Sequence, residues 1–207
     1  AGNWCTWMFG RDLVNWNNNF TWAKWVTPSR DLISAFKQEG DEVRFKESIV
    51  YYDCNWSNYY PSDNYPFMYK CRSANSSIIK FRYADVLLLK AEALIMQDTP
   101  DLEGAADIID KVRDRAKLGA LPTSVRSNKN AMLNALLKER RLELAFEGQR
   151  WFDLVRLDKV EEVMNAVYAK DSGRKAQIYT FDKNSYRLPI PQSVIDANDK
   201  IHQNPGY

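Results

Sequence analysis

The run "LLKERRLELAFEGQRWFDLVRL", Leu136 to Leu157, sets Glu139, Arg140, Arg141, Glu143, Arg150 and Asp153 among leucines and aromatics at helical spacing. An isolated charge in an apolar interior costs on the order of several kcal/mol, so each of these must be paired or must reach water. Helical spacing supplies local partners: Arg140 stands three residues before Glu143, and Arg150 three before Asp153. Three uses compete for such a run. A catalytic carboxylate pair would be Glu143 with Glu147, but neighbouring arginines lower carboxylate pKa values instead of poising them near neutrality. A nucleic-acid surface would need unopposed arginines. The remaining use, an internal lattice of ion pairs, fits the alternation of signs, and the stretch reads as structural.

Outward from it, helical periodicity dominates from Ser76 onward. Residues 78–97, "IIKFRYADVLLLKAEALIMQ", are apolar nearly all round, with Arg82, Asp85, Lys90 and Glu92 as interruptions, which predicts a helix packed on more than one side. Thr99-Pro100 restarts a helix through Ala105, Ala106, Ile109, Val112 and Ala116, with Gly119 after its end. The pair resembles one tetratricopeptide repeat, and one repeat needs neighbours to bury both faces. A third helix spans about 128–147 and stops at Gly148, and a shorter one covers about 149–157. Asp158 with Glu161 forms a capping-box-like start for a helix ending near Lys170. In "AQIYTFDKNSYRLPIP" two extended runs flank Asp182-Lys183-Asn184-Ser185, which predicts a small C-terminal hairpin. The fold class is mainly α: a tetratricopeptide-like helical stack, an α-α superhelix, with aromatic-rich long loops and that hairpin.

Residues 1–75 read differently from 76–207. Six of the seven tryptophans (Trp4, Trp7, Trp16, Trp22, Trp25, Trp56) fall in the first part, among turn formers as in "NWNNNF" and "CNWSNYYPSDNYPF". Long ordered loops of this kind are uncommon unless functional. Between them "TPSRDLISAFKQEGDEVRF" reads as a short helix, capped by Thr27, with Pro28 at its first position and Gly40 after its end.

The totals exclude several classes. With 29 Lys+Arg against 27 Asp+Glu the net charge is +2, so nothing draws nucleic acid or anionic lipid in bulk. No apolar run approaches the roughly 20 residues needed to cross a bilayer, and the opening "AGNWCTWMFG" is not a signal peptide. Cys5, Cys54 and Cys71 permit one bridge at most, a Cys54–Cys71 loop being one choice and three buried thiols the other. The one histidine, His202, lies in a polar tail, and no Cys/His metal spacing, Gly-rich phosphate loop or G-x-S-x-G occurs. Asp53 and Asp63, near Trp56, are the only pair that a glycoside hydrolase reading could use, and both read as turn acids. No metal, no cofactor and no catalysis are expected.

The segments "ERRLELAFEGQRWFDLVRL", "KFRYADVLLLKAEAL", "AADIIDKVRDRAKL" and "YRLPIPQSVIDANDKIHQNPGY" resemble, in order and spacing, the C-terminal half of the SusD/RagB family of outer-membrane nutrient-binding lipoproteins. "TPSRDLISAFKQEGDEVRFKESIVYY" resembles the segment just upstream, so the likeness runs from about Thr27 to Tyr207. The resemblance implies a non-catalytic protein at the outer-membrane surface that binds an oligosaccharide or other nutrient for a SusC-type TonB-dependent transporter. It also implies an N-terminal half, with more such helices and a lipidated cysteine, that has no counterpart here; Cys5 is not that cysteine. The alternative is a helical scaffold docking on the transporter, with the ligand site mostly in that other half.

Sugar recognition needs flat apolar faces for C–H surfaces and neutral groups for hydroxyls. Trp16 and Trp56, with polar neighbours, rank first as platforms; Trp22 and Trp25 share a face in a helix and oppose each other in a strand. Asn18 and Tyr59 supply hydrogen bonds beside them. The N-x-S/T triplets at Asn19, Asn55 and Asn75 would suggest glycosylation in a eukaryotic secreted protein; with a bacterial family they read as chance.

Overall fold

In a computed structural model, residues 27–53, 60–61, 63–70, 79–170 and 180–207 are described. They fall into two compact units that divide between Arg150 and Trp151.

In the first unit, α1 (Arg30–Glu39) starts at Ser29, whose hydroxyl accepts from the Leu32 amide at 3.1 Å. Thr27, the expected cap, instead lies 3.1 Å from the Tyr65 hydroxyl. Gly40 ends α1 as expected, in the left-handed conformation at φ 69°. Asp41 then caps a second helix, α2 (Glu42–Ser48), by accepting from the Arg44 amide. The single helix read from this stretch is therefore two, because a glycine stop is followed at once by a capping aspartate. From α2 the chain enters β1 (Ile49–Tyr52), which pairs antiparallel with β2 (Tyr65–Met68) in the register Ile49 opposite Met68 and Tyr52 opposite Tyr65.

Helices α3 (Tyr83–Met96) and α4 (Leu102–Arg115) form the antiparallel pair expected of a tetratricopeptide-like unit, and α6 (Lys129–Glu143) packs against both. Leu88, Ala91 and Ile95 of α3 meet Ala105, Ala106, Ile109 and Val112 of α4, with Met132 and Leu136 of α6 closing the cluster. The alanines let the helix axes approach, and each large side chain buried there contributes about 1.5–3 kcal/mol. Asp101 caps α4, accepting from the Gly104 amide at 2.9 Å, which moves the start past the expected Thr99-Pro100. The left-handed residue after α4 is Lys117 (φ 61°), not Gly119; the Gly119 carbonyl accepts from Arg113 instead. A short α5 (Thr123–Arg126), not anticipated, bridges to α6. Helix α6 ends at Glu143, earlier than expected, and turns through Phe146 (φ 65°) and Gly148 (φ 81°).

Packing joins residues from both sides of the compositional step at 75/76. Ile33, Phe36 and Ile49 bury with Leu142 and Ala145. Polar staples reinforce that contact: Arg113 reaches Glu39 at 2.7 Å, Lys138 also reaches Glu39, and Arg141 reaches Asp31 at 2.5 Å.

The second unit takes all but the first residue of α7 (Arg150–Arg156), then α8 (Val160–Lys170), with Leu154 and Val160 buried. Asp158 does not cap α8: its φ is 53°, and its carboxylate accepts from the Tyr186 hydroxyl at 2.5 Å. The expected C-terminal hairpin is corrected here. Its turn is a 3-10 turn (Lys183–Tyr186), because Asp182 accepts from the Asn184 and Ser185 amides while Ser185 Oγ accepts from the Asp182 amide. Residues 187–190 are not in a strand and are held by side chains, with no partner strand among the described residues. Gln203 exchanges two hydrogen bonds with the Ile190 backbone, and Asn204 donates to the Leu188 carbonyl. The first arm, 176–179, lies outside the described residues. Among the described residues the antiparallel two-stranded sheet is β1–β2. A last helix, α9 (Gln192–Asp196), precedes the C-terminal turn.

Among the described residues no helix is long and apolar enough to cross a membrane, and no cluster of His, Cys, Asp or Glu could hold a metal ion.

Candidate functional site

Glu139, Arg140, Arg141 and Glu143 draw partners from distant parts of the chain. Glu143, at the C-terminal end of α6, is 1% exposed. Its Oε1 accepts from Arg82 Nη1 at 2.6 Å and its Oε2 from Arg44 Nη1 at 3.0 Å, while Arg115 Nη2 lies 2.6 Å from both. Its backbone carbonyl, one of those a helix end leaves unbonded, accepts from Lys70 Nζ at 2.8 Å and Arg82 Nη2 at 2.6 Å. The four cations come from α2, from the residues just after β2, from the residue before α3 and from the end of α4. Cations gathered at a helix C-terminus are also favoured by its dipole.

Around this hub, Arg44 joins Asp41 (2.5 Å) and Glu139 (2.6 Å), and Arg82 and Lys70 share Glu147. Arg140 meets Asp85, in the first turn of α3, at 2.8 Å, with both side chains 3% exposed or less. The lattice inferred from the sequence is present; Glu139, Arg140 and Glu143 are held by tertiary partners, while Asp153 pairs with Arg156 and Asp41 with Arg44 at i,i+3.

Burial pushes the Glu143 carboxyl up, yet Arg82, Arg44 and Arg115 together outweigh it and hold the group at about 2. For Glu139 burial prevails over Arg44 and Arg113, and its carboxyl is raised. Lys70 is lowered, chiefly by burial against the pull of Glu147. A carboxylate held at about 2 with both oxygens occupied has no proton to give or take near neutrality, which removes Glu143 as an acid or base.

The sign of the pH dependence follows. Glu143 carries a depressed pKa, so its contribution is complete above about 4.5 and is lost as pH falls toward 2. A shift of that size corresponds to about 3 kcal/mol. Glu139, raised, works in the opposite sense over the pH range above its ordinary value and offsets part of this. Urea midpoints measured from pH 6 to pH 2.5 are expected to fall steadily below pH 4.5; Glu143→Gln should flatten the slope, and an unchanged slope would contradict the assignment.

The expected glycan platforms Trp16, Trp22, Trp25 and Trp56, with Asn18 and Tyr59, lie outside the described residues, as do Cys5, Cys54, Cys71 and the triplets at Asn19, Asn55 and Asn75. The residues flanking the 54–59 segment are described. Tyr60 donates to the Pro28 carbonyl at 2.8 Å, stacks edge-on with Tyr65 at 5.5 Å, and carries the Arg30 guanidinium 5.2 Å from its ring centre. Asp53, Asp63 and His202 are exposed. Arg44, Lys70 and Arg115 were not singled out from the sequence, and Arg82 only as a charged interruption of an apolar helix. The available signal was an arginine within each quoted motif, in "DEVRF", "KFRYADV" and "KVRDRAKL".

Residues 62–207 match the SusD family. The chain belongs to that family. Among its SusD relatives, SusD-like protein P38 of Formosa agariphila is 43% identical over 99 residues, covering 45% of this chain and 19% of that protein. SusD-like protein P2 of the same organism is 35% identical over 143 residues, 66% of this chain and 27% of that protein. The chain thus spans about a fifth to a quarter of the length of these curated relatives. Among solved structures, a SusD superfamily protein from Bacteroides vulgatus superposes with a TM-score of 0.64 at 21% identity, over 87% of this chain and 44% of that one. A laminarin-binding SusD-like protein superposes with a TM-score of 0.55 at 26% identity, over 87% of this chain and 38% of that one. The fold of the chain is the tetratricopeptide-like fold of these SusD proteins.

Proposed function

We propose that this chain is part of a non-catalytic protein that captures an oligosaccharide at the outer face of the cell and passes it to a SusC-type TonB-dependent transporter. SusD membership carries this reading, and the laminarin-binding neighbour supports a glycan as the nutrient. The ion-pair lattice serves as a rigid base, and the aromatic-rich segments of residues 1–75 supply the recognition. Trp16 and Trp56 are the first platforms, with Trp22, Trp25, Asn18 and Tyr59 beside them. The full-length protein is surface-exposed and held to the outer membrane by a lipid anchor.

Covering one indole face contributes about 1–2.5 kcal/mol, so two or three platforms give millimolar to micromolar binding, weak enough for hand-over. In calorimetry with laminarin oligosaccharides, Trp16→Ala and Trp56→Ala are each expected to weaken binding about 5- to 60-fold. Unchanged affinity in both would remove these residues from the site.

A second reading rests on the chain's small share of its relatives' length: the chain is a scaffold that docks on the transporter, with the ligand pocket mostly elsewhere in the full-length protein. A glycan screen of both polypeptides separates the two. Binding by the full-length protein alone favours the scaffold.

A further inference from the structure

Beside the Glu143 hub lies a cleft of about 300 Å³, at the small end of ligand sites and on the scale of one sugar ring. Its lining includes four cations, Arg44, Lys70, Arg82 and Arg115, and three acids, Glu47, Glu143 and Glu147. Two further acids, Asp41 and Glu139, hold Arg44 from outside the lining. Both Glu143 oxygens carry arginines, and Glu147 lies between Arg82 and Lys70, its Oε1 ion-paired with Lys70 at 2.5 Å but without an aligned hydrogen bond. The donors are not all taken. Arg44, 7% exposed, buries an Nη2 that has no partner. Arg115 binds Glu143 through Nη2 alone, leaving Nε and Nη1 without a protein partner among the described residues, and its side chain is 61% exposed. A buried, unsatisfied N–H costs about 1–3 kcal/mol, which applies to Arg44 Nη2, while the exposed Arg115 donors are met by water that an anion can displace. Val43 and Ile79, at 42% and 43% exposure, offer an apolar patch in the same lining.

The geometry points to this cleft as a subsite for an acidic sugar, its carboxylate or sulfate ester received by Arg115 and Arg44 and its C–H face laid on Val43 and Ile79. Arginine donors suit either anion, and charge-assisted bonds are about twice as strong as neutral ones. The site rests on the glycan reading only in taking a sugar as carrier of the anion, and none of the described residues that line it is a tryptophan. It would let the protein distinguish anionic from neutral polysaccharides.

The test is an NMR titration of the 207-residue chain at low ionic strength with potassium D-glucuronate, D-glucose and glucose 6-sulfate, following the amides of residues 43–48, 79–82 and 115. Glucuronate or the sulfate is expected to shift these amides with at least tenfold tighter binding than glucose, and comparing the two anions identifies which is preferred. Arg115→Gln should weaken that binding at least fivefold. Ile79→Glu, a surface change that leaves the lattice intact, should do the same by repulsion. Laminarin oligosaccharides are titrated in parallel, so failure here and failure of laminarin binding are separate results. Equal response to glucose and to both anions, or full binding in Arg115→Gln and Ile79→Glu, would overturn the proposal.

Discussion

Replacing Glu143 by Ala is expected to destabilise the first unit by about 3–5 kcal/mol, the range seen when one partner of a buried ion pair is removed. The lost carboxylate leaves Arg44 and Arg82 facing one another with Arg115 above them, and cations without an anion between them repel. Arg44 keeps Asp41 and Glu139, and Arg82 keeps Glu147, so the fold should survive in weakened form. Glu143→Gln should lie between wild type and alanine, since the amide still accepts from one guanidinium. Urea unfolding followed by circular dichroism reads the difference. A loss under 1 kcal/mol for the alanine variant would mean that the hub is an incidental surface pair.

Arg140→Met should cost a similar 3–5 kcal/mol, because Asp85 is left charged at 2% exposure with its long-range partner removed. The informative variant is the double one. Asp85→Leu with Arg140→Met replaces a desolvated pair by apolar side chains of comparable bulk, and is expected to recover most of the loss. Such recovery would show that the pair specifies how α3 and α6 align more than it stabilises them. If the double variant were as unstable as the single, Arg140 would owe its importance to other contacts.

The helices of this fold were legible because their signals are local. The all-round apolarity of 78–97, the alanines at 91, 105 and 106 and the stop at Gly40 each act within a few residues. Element ends were less legible. Ser29 and Asp101 compete with nearby Thr27 and Thr99 as caps, Asp158 has the residue type of a cap without its backbone, and only the backbone decides which hydroxyl or carboxylate meets an amide. The C-terminal hairpin was misread for a related reason. Extended residues satisfied by Gln203 and Asn204 side chains have the same pattern as a strand satisfied by a neighbour. The lattice was legible as chemistry and not as geometry. Opposite charges in an apolar run announce that partners exist, but nothing in the spacing of Arg44 or Arg82 says that they close on Glu143 across 99 and 61 residues.

The sealed position of these pairs also decides how the frame meets a changing environment. Dissolved ions weaken attraction between charges they can surround, over a Debye length that shrinks from about 10 Å at 0.1 M to about 3 Å at 1 M. Lys46 and Glu42, at 74% and 67% exposure, stand in that electrolyte and lose their grip in brine. Arg44 with Glu139 and Arg140 with Asp85 are closed off from it. The same scaffold can therefore stand in dilute medium or in seawater with its internal bracing unchanged.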